Sequence, residues 1–261
     1  MLLHTHTWIL REFMRGYAGG DRDLDMFIYN VIPDILPIHE SITSQMTHRI
    51  SRFRVTPAEF KKAVFTQFHL MVDDVAHYGN ITANGSDEFH SNAGGYAYEK
   101  GRVLLPRIMD FHRQIGKTIS LDSAIYRSHM IIEMAFDLLL FEREGSLLGL
   151  FTEALDDSMR HKRAEMISTL QWLLDIPAKL LEAAMAEGFA AYGGDRIYRT
   201  MSLEGRTRLY IEKFEYDLED GKVRRGVENL VSRGMELSED YETFLAHTLK
   251  VIKDAGFLPA L

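Results

Sequence analysis

The chain has 261 residues, 46% of them hydrophobic and 26% charged, a globular balance that excludes a disordered, collagenous or low-complexity polypeptide. With 38 acidic against 30 basic residues the formal net charge is -8, so the overall field offers no attraction to a nucleic-acid backbone or an anionic membrane. There is no cysteine, which excludes disulfides, thiolate metal sites and cysteine nucleophiles and leaves histidine and carboxylates as the available metal ligands.

The opening MLLHTHTWILREF lacks a basic n-region and is interrupted by His4 and His6, so the sequence predicts no signal peptide and a cytoplasmic location. The spacing then predicts a helix over 57–78, with Thr56 as N-cap, Pro57 at the first position, Glu59 in the first turn and an apolar face of Phe60, Val64, Phe68, Met71 and Val75 that ends at Gly79. Residues 79–102, rich in glycine and asparagine, predict a long loop that could cover a site, with Asn80, Asn84, Asp87 and His90 as candidate contacts. Ser120 caps a second predicted helix over 121–143, with Ile125, Ile132, Ala135, Leu139 and Leu140 in the core and Gly145 as its stop. Its most apolar stretch, 130–141, carries Glu133 and Asp137 and is too short to span a bilayer. Further helical patterns cover 158–192 with a break at Pro177, then 203–219, 223–235 and 239–255, with Ser202 and Ser238 as caps and Gly256 as a stop. No convincing strand alternation occurs. The expected fold is an all-α multi-helix bundle with a multinuclear metal site between helices. Residues 1–145 form its metal-binding half. Residues 146–261 form a C-terminal helical half packed into the same domain, whose amphipathic faces serve core packing or a homo-oligomer contact.

Chemistry concentrates in the first half, which holds nine of the 11 histidines. His69, Asp73 and His77 recur every four residues, so one helix presents all three with a drift of about 40° per step, while Asp74 points elsewhere. The same period puts His129, Glu133 and Asp137 on one face of the second helix. A single HxxxD or HxxxE pair is ordinarily a surface or hydrogen-bonded contact. Two such stripes among apolar residues point to a metal site, because an unpaired buried carboxylate costs several kcal/mol. His4, His6, Asp34, His39 and His48 supply further ligands upstream. Imidazole and carboxylate without sulfur suit zinc, and also iron, manganese or nickel.

The ordered series Asp34, His48, His69 with Asp73, His77, then His129 with Glu133 resembles the ligand series of the zinc-dependent phospholipase C and P1 nuclease superfamily. Pro33-Asp34 is followed by His48 after thirteen intervening residues, and the HxxxD and HxxxE elements follow in the family's order. The resemblance covers about residues 4–140. It implies an all-α protein with two or three zinc ions, iron or manganese being alternatives, that hydrolyses a small-molecule or lipid phosphate ester through metal-activated water. By the same resemblance Asp34, His48, His69 and Asp73 surround one ion and His77, His129 and Glu133 a second. Asp73 would bridge toward a third ion held by His4 or His6, where the secreted phospholipases use their N-terminal residue. Asp34 either completes the first ion's shell or acts catalytically by accepting the water's proton. The gap from Asp73 to His77 is shorter than in the secreted enzymes. Two rivals remain: a non-hydrolytic structural or regulatory metal-binding protein, and a di-iron carboxylate protein, although the latter expects Glu-x-x-His where this chain has His-x-x-x-Glu. An HD-type phosphohydrolase is excluded by the lack of an adjacent His-Asp pair.

Overall fold

A computed structural model describes residues 3–15, 17, 23–82 and 93–258. The described chain is all-α, with no strand. In order it forms α1 (Leu3–Met14), α2 (Asp25–Ile35), α3 (Ser44–His48), α4 (Ala63–Tyr78), α5 (Tyr96–Arg102), α6 (Leu105–Gln114), α7 (Leu121–Glu144), α8 (Leu147–Asp157), α9 (Arg163–Leu174), α10 (Ala178–Tyr192), α11 (Asp195–Thr200), α12 (Leu203–Lys213), α13 (Gly221–Leu237) and α14 (Tyr241–Asp254). None of these is long and apolar enough to cross a membrane. One hydrophobic cluster runs from Leu3 through Phe68, Ile131 and Leu170 to Phe257, so residues from both halves of the chain share a core. The long α7 packs against α1, α5, α6 and α13, and α2 packs against α1, α4 and α8.

Several boundaries differ from the sequence pattern for identifiable reasons. The helix expected from residue 57 begins at Ala63. Pro57 is extended, Ala58–Phe60 make only a 3-10 turn, and no side chain caps either segment. Phe60 instead stacks on Trp172 of α9, with ring centroids 5.1 Å apart, and the Arg54 guanidinium lies 4.1 Å over the same indole. Tertiary packing thus overrides the local capping signal. The loop expected over 79–102 contains α5. Gly95, just before it, donates its N–H to the His77 carbonyl at 2.8 Å, and a Cβ there would lie 2.2 Å from the His77 carbonyl carbon. Only glycine permits that approach. Gly101 does the same on the other side, where a Cβ would come within 2.8 Å of Ser128 Oγ. Asn84, Asp87 and His90 lie outside the described residues.

In the second half Pro177 does separate two helices, but α8 and α9 are joined by a π-helical turn over Ser158–Lys162. Residues 203–219 stop early, at Lys213. Ser120 and Ser202 accept N-cap bonds from Ser123 and Gly205. Ser238 ends α13 rather than capping α14, and Gly256 (φ +73°) follows the end of α14.

Three buried ion pairs tie helices together: Arg52 with Asp74, Lys62 with Asp25, and Arg206 with Asp137. Asp137 Oδ1 also accepts the Thr5 N–H at 2.8 Å and the Thr5 hydroxyl at 2.7 Å, satisfying a first-turn donor of α1. Replacing Arg206 by Leu leaves Asp137 buried and uncompensated, and should lower unfolding free energy in urea by about 3–5 kcal/mol, with much of the loss recovered when Asp137→Leu is added.

Candidate metal centre

The walls of the site are fixed by backbone groups that helix geometry leaves free. Pro33, inside α2, has no N–H, so the Tyr29 carbonyl four residues earlier lacks its usual partner. The Thr66 hydroxyl of α4 donates to it at 2.8 Å, and the Thr47 hydroxyl of α3 donates to the Pro33 carbonyl at 2.9 Å. Both bonds converge on the residues beside Asp34. Asn30 Nδ2 donates to the His6 carbonyl at 2.9 Å, which holds α1 to the same helix.

Around that junction lies the first donor group. Asp73 Oδ1 is 3.2 Å from His6 Nε2, and its Oδ2 is 3.2 Å from His69 Nε2 and 3.4 Å from His48 Nε2. Asp34 Oδ1 stands 3.9 Å from His48 Nε2 and 4.0 Å from His69 Nε2. Ligand atoms about 2.0 Å from a tetrahedral ion are roughly 3.3 Å from one another, so these spacings suit a shared cation. His48 Nδ1 donates to the Ser44 carbonyl at 2.8 Å, which fixes the tautomer and turns Nε2 toward the carboxylates.

The second group comes from α4 and α7. His77 Nε2 meets Glu133 Oε1 at 2.7 Å, and the His77 and His129 rings are 5.3 Å apart and nearly perpendicular. The His129 ring stacks on Tyr98 of α5 at 4.5 Å. His77, His129 and Glu133 each place one donor atom within 4.8 Å of the others, as do His6, His69 and Asp73, and Asp34, His48 and His69. Of the two predicted stripes, His77 therefore meets His129 and Glu133 of α7, whereas His69 and Asp73 turn toward His6, His48 and Asp34, and Asp137 toward Thr5 and Arg206.

Other candidates fall elsewhere. His4 packs edge-on against Phe141 at 5.6 Å and joins none of these groups; two residues from His6 on a helix, it faces about 200° away. His39 lies 3.8 Å from Glu187, and its Nδ1 accepts the Ser41 N–H. Asp137 is spent on Thr5 and Arg206.

Burial and charge support a cation here. The His6 and His69 rings are fully buried, their Nδ1 atoms make no hydrogen bond and their Nε2 atoms face only the Asp73 carboxylate at 3.2 Å; His129 Nδ1 also makes none. A buried polar group left in that state costs about 1–3 kcal/mol, which coordination would offset. Burial pushes His69 down to about 4, helped by His6, and His129 down to about 3, so both rings are neutral donors near neutral pH. Burial also disfavours protonation of His48 and His77, yet Asp73 and Glu133 hold them above their ordinary value. Against its own burial, Asp73 is kept well below the usual carboxylate range by His69, His48 and His6. Among the described residues three groups could hold an ion: His6, His69 and Asp73; Asp34, His48 and His69; and His77, His129 and Glu133, the first two sharing His69.

Sequence spacing did not reveal the supports. Arg52 directs Nε and Nη2 to Asp74 at 3.0 and 2.8 Å and Nη1 to the carbonyls of His48 and Ile50. Asp74 also accepts the Thr82 N–H and hydroxyl, each at 2.8 Å. The helical phase that turns Asp74 away from Asp73 was its one visible signal. Both donor groups line a cleft of about 780 Å³ whose far wall comes from Tyr192 of α10, Thr200 of α11 and Leu209 and Lys213 of α12. The second half contributes no residue to the donor groups but closes the cleft over them.

No protein-family model, curated protein or solved structure matches the chain.

Asp73→Ala should strip far more zinc from protein purified without chelator than His39→Ala, because Asp73 touches three imidazoles and His39 none of the donor groups; equal metal contents would count against the assignment. The raised His48 and His77 imply proton competition: a metal must displace a proton from each once pH falls below their elevated values. Metal affinity should therefore decline as pH falls through those elevated values, with proton release on binding measurable by calorimetry in buffers of different ionisation heat.

Proposed function

We propose that this chain is a metal-dependent hydrolase of phosphate esters that works with two or three zinc ions, for which iron or manganese could substitute on the same donors. The observation that carries the reading is the pair of adjoining nitrogen and oxygen donor groups on one cleft of an all-helical chain. Their residues follow the order in which the phospholipase C and P1 nuclease superfamily arranges its ligands. Bound divalent ions supply Lewis acidity toward phosphoryl oxygens and lower the pKa of water toward about 7.

The chain's own residues do the positioning. Asp73 uses one oxygen toward His6 and the other toward His48 and His69, so a single carboxylate sets the spacing of the cluster. Burial disfavours an ionised Asp34, yet neighbouring positive charge holds it below its ordinary value, so it is a carboxylate at working pH. Its place beside two imidazoles favours a ligand role over a purely proton-accepting one. Tyr98 covers one face of His129 and limits how that ring turns. A di-iron carboxylate centre fits less well, because such centres use four glutamates and two histidines whereas the donor groups here hold five imidazoles and three carboxylates.

Metal-loaded protein should cleave a chromogenic phosphate ester, and Asp34→Asn should lower turnover by roughly a hundredfold or more while losing metal. Retention of full metal content with lost turnover would assign Asp34 as proton acceptor instead. Fully metallated wild type that cleaves nothing in a panel of lipid, nucleotide and sugar phosphates would favour the non-hydrolytic reading.

A further inference from the structure

Five acidic side chains line the cleft, and most are already compensated. Asp74 is paired with Arg52 and Glu212 with Arg208, while Asp34, Asp73 and Glu133 belong to the donor groups. Two fixed cations line the same cleft, Arg52 and Lys213. All three guanidinium nitrogens of Arg52 are committed to Asp74 and to the carbonyls of His48 and Ile50. Lys213 is exposed, and among the described residues it makes no ion pair of 4.0 Å or less.

Its placement is fixed by its neighbours. Lys213 ends α12, and the next residue, Phe214, lies under the Arg127 guanidinium at 4.1 Å and meets the edge of Tyr126 at 6.3 Å. Tyr126 in turn packs at 5.1 Å against His129. This chain of ring contacts sets the end of α12 beside the second donor group, and Lys213 lines the same cleft as His77, His129 and Glu133.

We propose that Lys213 is the anion-holding residue of this cleft and that the site prefers a phosphomonoester, whose phosphate is a dianion, over a phosphodiester monoanion. This rests on the hydrolase reading for the fate of the substrate but not for its binding. A phosphoryl group at the donor groups presents its outward oxygens to the α12 wall. There an ammonium group gains most when those oxygens carry a second negative charge. A monoester has that charge above a second pKa of about 6, and a diester never does.

The test uses zinc-loaded full-length protein at pH 8, with inorganic phosphate and two chromogenic esters as probes. Lys213→Met should weaken phosphate binding, measured by calorimetry, by roughly tenfold, and Lys213→Arg should keep it within about twofold. KM for para-nitrophenyl phosphate should rise by a similar factor in Lys213→Met, and by several-fold more than KM for bis(para-nitrophenyl) phosphate, whose single charge gains less from the ammonium group. Lys213 is exposed, so the variants should keep their zinc content and unfolding midpoint. Unchanged phosphate affinity in Lys213→Met, no phosphate binding by the wild type, or equal losses on monoester and diester would each overturn the proposal. Absence of turnover on both esters in every variant would instead overturn the hydrolase reading, and the phosphate titration would still decide the role of Lys213.

Discussion

The arrangement of the molecule turns on the Asp73 carboxylate. Its two oxygens face imidazoles from three separate helices, His6 of α1, His48 of α3 and His69 of α4. A carboxylate in that position is disfavoured by its burial, and the His69, His48 and His6 rings around it are what hold it ionised. Helices that are distant in sequence are therefore drawn to one point by an electrostatic need rather than by apolar packing alone. The fixed tautomer of His48, the carbonyl freed by Pro33 and the bond from Asn30 to the His6 carbonyl all serve to keep donors at that point.

Around this centre the protein uses buried charge twice more. Arg52 and Asp74 bind the segment that carries His48 to α4, while Arg206 and Asp137 bind α12 to α7 and, through Thr5, to α1. Replacing such pairs with apolar residues is often neutral or stabilising, so their presence is weak evidence for stability as such. What they provide here is direction. A salt-bridged fork restricts orientation more tightly than a leucine contact, and both pairs lie one turn or less from a donor residue.

Much of this was legible because helical periodicity is local. The four-residue spacing of His69, Asp73 and His77, and of His129 and Glu133, states which side chains share a face, and the structure brings His77 to His129 and Glu133 while His69 and Asp73 meet donors of α1, α2 and α3. The late start of α4 was not legible: the Thr56, Pro57 and Glu59 signal is sound locally, and Phe60 abandons it for Trp172, more than a hundred residues away. Nor could spacing separate His4 from His6 as a donor, or show that Asp137 would leave its stripe for Arg206, since both outcomes depend on partners far along the chain. The α5 helix was hidden in a glycine-rich stretch because its glycines serve close backbone approach rather than a turn.

The contact between Asp137 and Arg206 bears on how the protein is made. Every residue of the two donor groups has been synthesised by Glu133, whereas Arg206 lies 69 residues beyond Asp137. While the chain is still emerging from the ribosome, the ligand-bearing helices are complete, but Asp137 has no guanidinium to offset its burial and the α10 to α12 wall is missing. All the candidate donors thus precede, in the order of synthesis, both the cation that pairs with Asp137 and the wall that completes the cleft, so the cleft acquires its final shape only when the last third of the chain arrives.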